Sequence, residues 1–242
     1  MHFFPQELPM KKLGLIGGTD PESTLVYYKT INQIISEKSG HTHFPEIAIE
    51  SVDLYKALHL VSTRQYDELE NYLWEKIENL LKCKCQIIAL TANTMHIVYE
   101  RLKARLEKIS DVPFISIPQA AREYADKMGY KRTGLIGTIF TMKEDFFKKE
   151  FGKTNIEVFI PTQERQQIIN KIISEELELG IVKKESQSIL IENISHLIQE
   201  HQIQAIVLGC TELPLALNSS NCPVPCIDIM EIHIQKLCEL SQ

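Results

Sequence analysis

Two turns in this sequence carry residues whose types and spacing suit chemistry. One is Cys210-Thr211-Glu212 in "AIVLGCTELPLAL", which begins with a short apolar run at Ala205. The other is Ala92-Asn93-Thr94 in "IIALTANTMHIV", which begins with the same kind of run at Ile87. Each reads as a buried strand entering a polar turn and then a helix. A thiolate at a helix start is stabilised by the helix dipole, so the Cys210 pKa is expected to be lowered. That makes Cys210 a candidate base, nucleophile or acid, against the alternative of an inert thiol. Asn93, Thr94, Thr211 and Glu212 can cap their helices, or the turns' free N–H groups can hold a carboxylate. The first copy has Ala92 where the second has its thiol, and alanine carries no proton.

A further turn, "GGTDPEST", places Gly17 and Gly18 where backbone must turn tightly or approach a ligand. Pro21 suits a first helical turn, and Thr19 and Asp20 either face a ligand or cap the helix. The stretch is neither G-x-G-x-x-G nor a P-loop. His96 and His233 read as hydrogen-bonded structural histidines or as proton donors. Arg64 is a lone cation suited to an acidic substrate, or else a surface ion-pair partner. Among the six cysteines, "CKC" (Cys83, Cys85) ends a helix, "CPVPC" (Cys222, Cys226) is read as a loop, and Cys238 sits on an apolar helix face. Neither pair has the His/Cys partners of a zinc site, so no metal is expected.

The elements that must position these turns alternate strand with helix. "KKLGLIGG" precedes a helix over about 21–38, and "EIAIESVD" precedes a helix over about 65–83 with Leu69, Leu73, Ile77 and Leu80 on one face. "QIIALTA" precedes a helix reaching about Lys108, and the prolines of "VPFISIP" mark a boundary. The pattern then restarts with a helix over 118–128, "RTGLIGT", a helix from Met142, "IEVFIP", two helices between Glu164 and Glu200, and "AIVLGCT". "GLIG" recurs 120 residues after Gly14, and the Ile87 and Ala205 runs lie 118 residues apart. Two motifs in the same order at nearly one offset imply two similar α/β lobes of parallel strands, with a ligand expected in a cleft between them.

The chain has 242 residues, 44% hydrophobic and 24% charged, with a net charge of −6, which suits a globular α/β protein and gives no basic stripe for nucleic acid. No apolar run reaches the roughly 20 residues of a membrane span. "MHFFPQELPM" lacks the features of a signal peptide and reads as a loose leader. A cytoplasmic location with reduced thiols is expected.

At this point the motifs converge. The chain resembles the aspartate/glutamate racemase family over almost its whole length. The resemblance rests on "GLIGGTDPEST", "SVD", "TANTMH", "GTIFTM", "EEL-x-LG", "GCTELPL" and the closing Pro225-x-x-Asp228. It implies two pseudo-symmetric α/β lobes, 11–109 plus 214–242 and 110–213, with the chain returning to its first lobe. It implies cofactor-independent chemistry on a small amino-acid substrate, commonly in a homodimer. Two thiols flank the substrate Cα, one removing a proton and the other returning one on the opposite face. Cys210 then stands as the acid/base, with Thr19, Ala92, Asn93, Thr94, Thr138, Thr211 and Glu212 around the substrate.

This chain departs from the family pattern where Ala92 replaces the first cysteine. Val61 stands where relatives have Gln, and Ile168 where they have Lys, which weakens the expectation of an acidic substrate. Three readings follow. In a racemase, water, His96 or Thr91 would serve the second face. In a lyase or decarboxylase a single thiol would suffice. A carboxylate-binding protein would keep the turns without turnover.

Overall fold

The computed structural model describes residues 10–242, so the expected N-terminal leader lies, except for Met10, outside the described residues. The chain divides into two units. The first runs to Ser116 and includes His233–Gln242, and the second is Ile117–Ile232.

In the first unit, β1 (Leu13–Gly17), β2 (Ile47–Ser51), β3 (Ile87–Leu90) and β4 (Phe114–Ile115) form a parallel sheet in the order β2-β1-β3-β4. Its helices are α1 (Pro21–Lys38), α2 (Leu54–Ser62), α3 (Tyr66–Lys82) and α4 (Tyr99–Leu106). The central strands β1 and β3 are buried at every position, as strands covered on both faces must be. Edge strand β2 alternates half-buried with exposed residues at its end. The stripe Leu69, Leu73, Ile77 and Leu80 on α3 is wholly buried. At about 2 kcal/mol per fully buried aliphatic side chain, that stripe alone fixes the helix to its sheet.

The second unit repeats the plan. Its elements are α5 (Ile117–Lys127), β5 (Arg132–Ile136), α6 (Ile139–Lys143), α7 (Asp145–Phe151), β6 (Glu157–Phe159), α8 (Gln163–Glu175) and α9 (Lys184–His201). They continue through β7 (Ala205–Leu208), α10 (Leu213–Ala216), β8 (Cys226–Asp228) and the start of α11 (Ile229–Ser241). The sheet order β6-β5-β7-β8 reproduces that of the first unit strand for strand, and all its pairings are parallel. The offsets of 120 and 118 residues therefore mark equivalent strands, β1 with β5 and β3 with β7.

The expected boundaries at 109/110 and 213/214 fall elsewhere. The units part after Ser116 and after Ile232. Residues 214–232 belong to the second unit because β8 hydrogen-bonds to β7, with Leu208 opposite Asp228. Ile227 and Ile229 also join an apolar cluster with Leu135 and Val207. Helix α11 returns to the first unit from His233 onward. There Ser241 O accepts from Lys11 N at 2.8 Å, and the His233 ring bonds Tyr27 and Ile115.

Three helical expectations differ in detail. The segment after β3 begins as a 3₁₀ turn over Asn93–Val98 before α4. The His96 imidazole donates to the Ala92 carbonyl, which an α-helix would give to the backbone N–H of residue 96. The helix expected from Met142 is two pieces, because Glu144 is extended with ψ 148°. Helix α2 has no counterpart in the sequence reading, although Asp53 caps it by accepting from Lys56 N at 3.0 Å.

Candidate active site

Parallel sheets present their ligand-binding turns at strand carboxyl ends. In the first unit β1 and β3 are hydrogen-bonded neighbours, with Ile16 opposite Leu90. The turns holding Thr19 and Ala92-Asn93-Thr94 therefore emerge side by side. In the second unit Ile136 lies opposite Leu208, and Gly209 N donates to Ile136 O at 2.7 Å. This brings Thr138 beside Cys210-Thr211-Glu212. The eight residues singled out in the sequence thus form two sets of four, one in each unit.

In the β1 turn the glycines serve the backbone. Gly18 has φ +89°, and a Cβ there would lie 2.3 Å from Ser51 Oγ and 2.5 Å from Val52 O. Its N–H donates to Thr24 Oγ1 at 3.0 Å. Asp20 is the N-cap of α1, accepting from Glu22 N at 3.2 Å and Ser23 N at 3.1 Å, so of the two roles offered to it, capping is realised. Thr19 is different. It is 7% exposed, and its Oγ1 is buried without a hydrogen-bond partner. A buried hydroxyl left unpaired costs about 1–3 kcal/mol, which a bound ligand or water would recover.

In the β3 turn, Asn93 is buried and Ala92 and Thr94 are half-buried. Thr91 is not available for proton transfer as it stands, because its hydroxyl donates to Ile16 O at 3.2 Å inside the sheet. His96 is 3% exposed. Its Nδ1 contacts Ala92 O at 3.1 Å and Asn93 O at 3.2 Å, and since carbonyls only accept, Nδ1 carries the hydrogen. The ring stacks on Tyr99, and burial pushes its pKa down to about 4. His233 is likewise structural. Its Nε2 lies 3.2 Å from Ile115 O and its Nδ1 2.7 Å from Tyr27 Oη, so Nε2–H donates to the carbonyl and Nδ1 accepts from the tyrosine. Burial pushes this imidazole down to about 3. Arg64 is exposed in the turn after α2, at φ 56°.

In the second unit Thr138 caps α6, its Oγ1 accepting from Thr141 N at 3.3 Å. The Cys210 thiol donates to Glu212 Oε2 at 2.7 Å, and Thr211 Oγ1 donates to Glu212 Oε1 at 2.7 Å. Both carboxylate oxygens are thus engaged from within one tripeptide. The expectation of a lowered Cys210 pKa is corrected. Burial raises it well above the ordinary thiol value, and the Glu212 carboxylate, as a like charge and as a hydrogen-bond acceptor, raises it further. Glu178, in the 3₁₀ turn Leu177–Leu179, adds to the same field. The helix dipole cannot offset this, because α10 has only four residues and starts three positions beyond the sulfur. Cys210 at rest is a thiol. The Cys–Glu pairing was legible only as a two-residue spacing, and Glu178 left no signal.

Val61 is buried in α2. Ile168 is 41% exposed and lines a groove between α8 and α9 with Glu164, Arg165, Ile189, Glu192 and Asn193.

The profile of the family described as Asp/Glu/Hydantoin racemase matches residues 16–237. The chain belongs to this racemase family. Among solved structures it superposes on a candidate Asp/Glu racemase from Yersinia pestis with a TM-score of 0.90 at 31% identity, covering 96% of this chain and 99% of that one. An aspartate racemase homologue from Pyrococcus horikoshii OT3 gives 0.84 at 33% identity, covering 96% and 99%. A curated glutamate racemase from Streptococcus gordonii is 25% identical over 154 residues, which cover 63% of this chain and 54% of that protein. The chain thus spans about half the length of the curated relatives it matches. Across the racemase family match, both candidate turn sets fall inside the matched segment.

Proposed function

We propose that this chain is a cofactor-independent amino-acid racemase in which Cys210 is the acid/base at the substrate Cα. The observation that carries this reading is the Cys210 thiol hydrogen resting on Glu212 Oε2 at 2.7 Å, in the strand-end turn of a racemase-family sheet. As an acid, the thiol gives its proton to a planar carbanion. As a base, it first passes its proton to Glu212, and the resulting thiolate takes the Cα proton. The two steps are microscopic reverses when Glu212 holds the extra proton while the carbanion exists and returns it to the thiolate once Cα is protonated. Thr19, whose buried hydroxyl lacks a partner, is assigned to the substrate carboxylate, as are the N–H groups of the turns at Asn93, Thr94, Thr138 and Thr211.

The second face of Cα requires another proton carrier. Ala92 has none, Thr91 is bonded to Ile16 O, and His96 directs its Nδ1–H into the Ala92 and Asn93 carbonyls. Water takes that role in the racemase reading, and inversion is slower than exchange at the Cys210 face. The same observation favours a second reading, a single-thiol lyase that protonates one face only.

Incubation of single enantiomers of several amino acids in deuterated water tests the assignment. Deuterium at Cα with inversion supports the racemase, and deuterium with retention supports one-faced chemistry. Cys210→Ala is expected to abolish both, and exchange surviving in that variant would remove the thiol from the mechanism.

A further inference from the structure

Cys222 and Cys226 play no part in this chemistry. They flank Pro223-Val224-Pro225, where the chain bends at Pro223 and Val224 and enters β8 at Cys226. Cys226 is therefore a strand residue, opposite Ile206 of β7, and not part of a loop as the sequence suggested. Both ends of the bend are pinned. Cys222 N donates to Asn218 O at 3.0 Å, and Ile206 N donates to Pro225 O at 2.9 Å. Two prolines fix two φ angles between these anchors. The Cys222, Val224 and Cys226 side chains all pack on one apolar cluster that includes Leu208, Ala216 and Leu217. Both thiols are half-buried, so reagents can reach them. The bend thus holds two free thiols on the same side of a five-residue segment.

We propose that Cys222 and Cys226 form a reversible intrachain disulfide when the protein meets hydrogen peroxide, with Cys222 the attacking thiol and Cys226 the resolving one. The Cys222 thiolate attacks the peroxide, the O–O bond breaks, and Cys222 becomes a sulfenic acid as one water leaves. The Cys226 sulfur then attacks Cys222 sulfur and displaces hydroxide, which departs as a second water with the Cys226 proton. Two thiols lose two electrons to one peroxide, giving one disulfide and two waters.

The environment separates the roles. The Cys226 thiol and the Val224 N–H both donate to the Cys222 sulfur, which lowers the Cys222 thiol below its ordinary value. The same contact, with burial, pushes Cys226 up. Burial pushes Cys85 and Cys238 up to about 11, and Cys210 is raised by burial and Glu212. Cys83 is the exposed thiol that competes. Among the described residues no three His, Cys, Asp or Glu side chains gather as a metal site, so nothing shown ties up the pair.

The test treats the full chain with hydrogen peroxide at pH 7, then alkylates free thiols and maps peptides without reduction. The expected result is a fragment spanning residues 222–226 that is lighter by about 2 Da and regains both thiols with dithiothreitol. Cys222 is expected to lose alkylation faster than Cys83. In Cys226→Ser, dimedone is expected to trap a sulfenic acid at Cys222. Oxidation of Cys83 or Cys210 while both proposed partners stay alkylatable would overturn the proposal, as would the absence of a dimedone adduct at Cys222 in Cys226→Ser.

Discussion

The hydrogen of the Cys210 thiol rests on Glu212 Oε2, and that contact sets what the sulfur can do. Replacing Glu212 by Gln removes the like charge and leaves burial as the main influence. The Cys210 pKa is then expected to fall toward its ordinary value, seen as thiolate absorbance near 240 nm rising at lower pH. An unchanged titration would mean that Glu212 does not govern the thiol. Ala92 is the complementary position. Ala92→Cys supplies the proton carrier that the first turn lacks, and racemisation is expected to rise at least about tenfold, in the range of general acid–base contributions. Polarimetry on one enantiomer reads that gain directly, and no change would count against the two-faced mechanism.

Among elements, the β1-to-α1 turn has the least freedom to vary. A side chain at Gly18 would meet backbone of the segment after β2 and would also have to adopt φ +89°. Gly18→Ala is therefore expected to destabilise the fold by about 2 kcal/mol or more, measured as a lower urea midpoint. A midpoint equal to that of the parent would show that the turn relaxes. The turn's sequence exposed this much, because two glycines followed by Asp and Pro announce a tight entry to a capped helix. The 3₁₀ turn after β3 was not legible. It follows from one imidazole reaching back to the Ala92 carbonyl, a contact that residue periodicity does not encode. Helix α2 went unseen for a simpler reason. Its nine residues offer only Asp53 as a cap and Ala57, Leu60 and Val61 as a buried face.

At the scale of the whole chain, two buried neutral imidazoles link stability to pH. His96 and His233 are held down to about 4 and about 3, while the unfolded chain binds those protons near 6.5. Their stabilising effect is therefore full above pH 6.5 and is lost as pH falls toward the folded values. By pH 5 the loss is on the order of 2 kcal/mol for each imidazole, before most carboxylates take up protons. Thermal unfolding at pH 7 and pH 5 should show a clear drop in midpoint, and equal midpoints would mean that these rings stay solvated. Among the described residues no helix is long and apolar enough to cross a membrane.

The sequence by itself determined the duplicated α/β plan and the place of Cys210, because strand period, turn chemistry and two matched offsets are local and additive signals. Only the tertiary structure decided where the units part, the protonation of the Cys210 thiol and the confinement of His96 and Thr91. These depend on which groups the fold brings together: β8 pairs with β7, a carboxylate meets a half-buried sulfur, and buried carbonyls claim the nearest hydrogens.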